Sequence, residues 1–176
     1  MLTKQFQKVY RGAVTGESYQ VRICNGNTVT VTYPDSIANN YHAMATRTMV
    51  NIPALMKKDN FTYAFGTSSS GGVSFGTGTA AGTEDDYTIT QKVMNSGTGL
   101  AVTMNVVQDG STYTGTYTIT NSGSAAVTIA EVGLFGTCPY ASSSSYLYLI
   151  DRTLLEEPLT IPAGGVGKVV YTITIS

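Results

Sequence analysis

From Leu100 to Val106 every second residue is apolar: Leu100, Val102, Met104 and Val106. An Asp109-Gly110 pair follows. The alternation then resumes with Tyr113, Gly115, Tyr117 and Ile119 on one face and threonines on the other. A period of two places successive side chains on opposite sides of an extended chain, so this stretch does not suit a helix. Asp-Gly accepts the positive φ that a tight hairpin turn demands. The segment therefore reads as two antiparallel strands with one face turned to a core.

The same grammar recurs along the chain. Tyr19, Val21 and Ile23 alternate, Asn25-Gly26-Asn27 supplies a turn, and Val29, Val31 and Tyr33 return. From Asn60 onward FTYAFG, VSFGTG, YTITQKVM, the 100–119 hairpin, AAVTIAEVGLF, YLYLIDRTLL, PLTIPAGG and GKVVYTITIS read as strands. Asn121-Ser122-Gly123 punctuates them, with loops expected at 66–72, 78–86 and 136–145. About eight or nine short strands at this spacing predict an all-β chain, an antiparallel β-sandwich of jelly-roll-like type. Residues 1–18 read as an arm or a first strand. Only residues 36–59 have helix-like composition, around Ala43, Met44, Ala45 and Met49, then Leu55 to Lys58. Pro53 splits them into one or two short helices. The expected organisation is a hairpin plus a short helical arm over 1–59, serving as an attachment segment, and a β-sandwich domain over 60–176.

Charged residues make up 12% of the chain, with ten basic against eleven acidic. That is about half the usual share. There is no basic stripe, which argues against nucleic acid as a partner. Little charge also means little protection against self-association, which favours a homo-oligomer. No run approaches the roughly 18 apolar residues of a membrane span. The opening MLTKQFQKVYRG lacks the features of a signal peptide, so the chain is expected to fold in a cytoplasm. There Cys24 and Cys138 are expected as small core thiols rather than metal ligands.

Chemistry-bearing residues are scattered. His42 is the sole histidine, with no second histidine for a metal site. Glu84-Asp85-Asp86 lacks the ligand spacing of a calcium loop and reads as a solvated turn or a cap. Gly76-Thr77-Gly78 superficially matches a phosphate loop, but the following lysine and helix are missing, so a bulge or a close chain crossing is the better reading. Asn60-Phe61-Thr62 is a glycosylation sequon without secretory context. The Ser142–Ser145 run lacks a neighbouring base. Tyr113, Tyr117, Tyr146 and Tyr148 fit core and interface, with a sugar platform as the alternative.

Glu131 stands inside the apolar run VTIAEVGLF, by alternation on the face of Val127 and Ile129. A carboxylate there is costly unless paired. Arg152, in an equally apolar run, is the expected partner across adjacent strands. The rival reading, a glycosidase acid with Asp151 as the second carboxylate, requires a defined separation between the two.

Residues 73–89, VSFGTGTAAGTEDDYTI, resemble a phrase found in tailed-bacteriophage virion structural proteins. It is a strand ending in Gly-x-Gly, a small-residue turn, then Asp-Tyr. The likeness continues with Glu131-Val132-Gly133-Leu134-Phe135, Asp151-Arg152-Thr153, Pro162-Ala163-Gly164 and a final alternating strand. It spans about residues 60–176. The resemblance implies a non-enzymatic virion component without cofactor: capsid decoration, head fibre, collar or tail part. Its partners would be other virion subunits, and it would assemble in the host bacterial cytoplasm.

Overall fold

The computed structural model describes residues 2–15, 17–31, 52–57, 71–93, 99–140 and 144–174. Among these described residues two helices, α1 (Lys4–Thr15) and α2 (Ile52–Met56), accompany eight strands. These are β1 (Tyr19–Arg22), β2 (Thr28–Val31), β3 (Gly72–Gly76), β4 (Leu100–Asp109), β5 (Thr112–Asn121), β6 (Val127–Tyr140), β7 (Ser144–Ile161) and β8 (Val166–Thr174). Every pairing is antiparallel, in the orders β1-β2, β3-β6-β7 and β4-β5-β8. The all-β expectation holds. Among the described residues no helix is long and apolar enough to cross a membrane.

Alternation decides what goes inside. On β8, Val169, Tyr171 and Ile173 are buried, while Val166 and Val170 are exposed. On β5, Tyr117 and Ile119 are buried between half-exposed threonines. These side chains share one apolar core with Val73, Phe75, Val132 and Leu134 of the other three-stranded sheet. The Phe75 and Tyr117 rings meet edge to face, with centroids 5.6 Å apart. The Tyr117 hydroxyl donates to the Met56 carbonyl at 2.8 Å, which fixes α2 against the same core. The expected hairpins form at Asn25-Gly26 and at Asp109-Gly110, where Gly110 has φ 58°.

Several expectations fail, each for a local reason. The first residues form α1 rather than a loose arm or strand. Thr3 caps it by accepting from the Phe6 amide at 3.3 Å. Nor is the described part of 1–59 a detached segment. Val9, Val21, Val31, Leu55 and Met56 belong to the common core, and the Thr3 amide donates to the Ile150 carbonyl at 2.9 Å. The described part of YTITQKVM, residues 87–93, is not a strand. It makes one isolated bridge, Gly76 with Lys92, and Gln91 adopts φ 40°. The 136–145 loop is largely absent, because β6 runs to Tyr140 and pairs with β7 as far as Tyr140–Ser144. YLYLIDRTLL and PLTIP join into one strand. Leu154 pairs with Glu131 and Leu159 with Ile129, so the intervening residues bulge out of register with β6. A bulge tolerates Pro158, which has no amide hydrogen to give a ladder. The FTYAFG run lies outside the described residues.

Candidate functional site

The same bulge places a buried ionic cluster. Ile129 and Val132 both join the shared core, but the register shift between Ile129 and Glu131 breaks simple alternation. Glu131 therefore does not share a face with Ile129, as the sequence suggested. It turns instead toward the segment 76–90. It is fully buried.

Arg152 is the partner, as expected. It stands beside Gly133 on β7, diagonally across from Glu131. Its Nε donates to Glu131 Oε2 at 2.5 Å. One guanidinium nitrogen donates to Asp86 Oδ2 at 2.8 Å, and the other to the Ala80 carbonyl at 3.1 Å. The second oxygen of Glu131 accepts from two backbone amides, Gly78 at 2.9 Å and Thr90 at 2.5 Å. Burial works against the Arg152 charge, but its bonds to Asp86 and Glu131 outweigh that and raise its pKa.

The glycines around this cluster have a steric purpose. A Cβ on Gly76 would lie 2.6 Å from Glu131 Oε1, and one on Gly78 would lie 2.5 Å from it. Gly-Thr-Gly thus lets the chain cross directly over a buried carboxylate. The amide of Gly78, which a phosphate-binding loop would aim at its ligand, is given to Glu131. Segment 77–93 closes over this face of the β3-β6-β7 sheet. Ile89, Phe135, Leu147 and Leu149 form a second apolar cluster there with Cys24.

The acidic run divides in two. Glu84 and Asp85 are the solvated turn expected, and both meet Lys4, at 2.9 and 3.1 Å. Asp86 does more. It accepts from the Thr83 amide at 3.0 Å and the Thr83 hydroxyl at 2.8 Å, besides Arg152. Partial burial pushes its pKa up, but the bonds from Arg152 and Thr83 prevail, and the net shift is below the ordinary 3.8. A carboxylate with a depressed folded pKa stabilises the fold fully above the unfolded value. That contribution is lost as pH falls through 3.8 and on through the lower folded value. Urea unfolding at pH 7 and at about pH 3 should show the loss. Asp86→Asn should flatten it, and an unchanged acid slope in that variant would remove Asp86 from the cluster.

Chemically the cluster is closed. Glu131 is fully buried and both of its oxygens accept from protein donors, so the carboxylate is committed to holding the fold. Asp151 gives no second catalytic carboxylate there. It accepts from the Tyr171 hydroxyl and from Thr153 Oγ1, both at 2.8 Å. Burial, with the Asp151 carboxylate alongside, holds the Tyr171 phenol well above its usual pKa, so it remains a donor. The geometry is that of a staple joining two strands to a covering segment.

Among the described residues no group of three or more His, Cys, Asp or Glu is placed to hold a metal. Tyr117 and Tyr148 are fully buried, which removes two members of the suggested sugar platform. Tyr113 is half-buried against the core, and the Tyr146 side chain lies outside what is described. His42, the Asn60-Phe61-Thr62 sequon, residues 141–143 of the serine loop and the Cys138 side chain also lie outside it. Asp86, Gly78, Ala80 and Thr90 are the cluster members that sequence reasoning missed. No protein-family model, curated protein or solved structure matches the chain.

Proposed function

We propose that the chain is a non-enzymatic structural component of a tailed-phage particle, most simply a capsid decoration protein. It would work by packing against other virion subunits, in several copies, after folding in the host cytoplasm. One observation carries this reading. Four of the residues that carry the resemblance, Gly76, Gly78, Glu131 and Arg152, meet in a single buried staple. Part of the signature thus serves cohesion, which is what a shape-holding protein needs. The low charge of the chain suits a subunit that spends its life in contact with neighbours. A neck, collar, tail or baseplate position uses the same properties. A carbohydrate-binding tail-fibre module draws less support, since Tyr117 and Tyr148 are inside.

Cross-linking mass spectrometry on purified particles tests the proposal. The expected result is cross-links from Lys8, Lys57 or Lys168 to another virion subunit. Lys57 and Lys168 are exposed, as is Lys8 on α1. Absence of the chain from particles purified on a density gradient would overturn it.

A further inference from the structure

We infer that the outward face of the β4-β5-β8 sheet docks a second copy of this chain. The register sets out its rows. Ala101, Thr120 and Val166 form the first, followed by Thr103, Thr118 and Lys168, then Asn105, Thr116 and Val170. Two more rows, through Val107 and through Asp109, complete it. Four large apolar side chains stand exposed among the described residues, and three of them, Val107, Val166 and Val170, lie here. Their exposures are 56%, 63% and 57%. A sheet face meant for water normally carries polar and charged side chains. This one has polar groups in its nine threonine and asparagine side chains but carries Lys168 and Asp109 as its only charges, so it is short of charge.

The threonine ladder makes the face cheap to bury. Thr112 and Thr174 hydrogen-bond to each other at 3.1 Å, and Thr114 and Thr172 at 3.2 Å. Their hydroxyls already have partners, so covering them strips away little hydrogen bonding. The area also suffices. Strands about 4.8 Å apart and about ten residues long at roughly 3.4 Å each span near 500 Å². Two such faces bury near 1,000 Å², where specific interfaces begin.

The charges point to a copy rather than to an unrelated partner. Lys168 stands on β8 opposite Thr118, and Asp109 on β4 opposite Thr112, so they occupy opposite edges and different rows. A two-fold axis lying between two facing sheets, midway between these positions and perpendicular to the line joining them, carries each lysine over the other copy's aspartate. The face is its own electrostatic complement, and a strongly charged partner would find nothing to balance it.

Sedimentation of the whole chain from about 1 to 100 µM tests this. A dimer is expected, and the double variant Thr116→Lys/Val170→Lys should weaken it at least about 100-fold through like charges at the centre of the face. Tyr10→Lys, exposed on α1 away from the sheet, should leave the dimer intact. Circular dichroism and an unchanged melting midpoint establish that the variants fold. A wild-type chain that stays monomeric, or a double variant that dimerises as tightly as wild type, overturns the inference. Such a failure leaves the virion reading standing, because that reading is judged by whether the chain is in the particle.

Discussion

Arg152→Met should lower folding stability by about 3–5 kcal/mol, the usual cost of leaving one member of a buried ion pair without its partner. Methionine keeps much of the side-chain volume, so the loss measures the charge rather than a cavity. Glu131, fully buried, would keep its two amide donors but lose its counter-charge. Asp86 would lose one of its donors, keeping those of Thr83, and the Ala80 carbonyl would lose its guanidinium donor. Glu131→Gln should cost about 2–4 kcal/mol by a different route. An amide has one acceptor and one donor end. If its oxygen faces Gly78 and Thr90, its NH2 faces the Arg152 Nε–H; reversed, it faces the two backbone amides. Either way donor meets donor. The double variant should cost less than the sum of the singles, because each single already abolishes the shared interaction. Chemical denaturation with unchanged m-values is the measurement. An Arg152→Met variant within about 0.5 kcal/mol of wild type would mean that the staple holds nothing together.

The Glu131–Arg152 bond was legible because the cost of an unpaired buried charge leaves few solutions. A carboxylate in one apolar strand and a guanidinium in another must meet or both be expensive. The third member was not legible. Asp86 belongs to a run of three acids, and only the tertiary fold separates it from Glu84 and Asp85, which stay solvated beside Lys4. YTITQKVM misled for a related reason. Tyr87 and Ile89 alternate as in a strand, and the threonines favour one. Yet the Thr90 amide bonds to a side-chain carboxylate and its carbonyl accepts from Thr77, so no neighbouring strand is needed. A side chain buried elsewhere in the chain replaced the ladder, and no local pattern encodes that.

Helix α1 did leave a signal. Thr3 before a run with apolar Phe6 and Val9 among lysine, glutamine and arginine is a capped, amphipathic start. The signal is weak because only a narrow stripe is apolar, and the helix gains its place from packing on β1 and β7. Strand β7 shows the opposite limit. Glu156-Glu157-Pro158 is a sound stop signal by composition, and the chain obeys it only by bulging out of the ladder before re-entering it at Leu159. The paired hairpins were legible because their turns are chemically strict and their registers short. The juxtaposition of the two three-stranded sheets rests on contacts far apart in sequence, and those are settled by packing.

Phe75→Ala should lose about 3–5 kcal/mol, the range for removing a buried aromatic ring from a core that cannot collapse. Phe75 is on β3 and fully buried, and its ring edge meets Tyr117 on β5, so it ties one sheet to the other. Deleting it removes contacts on both sides at once, which limits relaxation. Tyr117→Phe separates the hydroxyl from the ring. It should cost about 1–2 kcal/mol, because the Met56 carbonyl loses its donor. Burial holds that phenol above its ordinary pKa of 10, so it remains a donor across the usable pH range. A cycle combining Phe75→Leu with Tyr117→Leu should give a coupling of about 0.5–1.5 kcal/mol, as for other edge-to-face pairs. Simple additivity would mean that the rings do not meet in solution, and the two sheets would then need some other contact to hold them on one core. A measured coupling alongside a full-size Phe75→Ala loss would place the cohesion of the chain in that contact, independent of the ionic staple behind it.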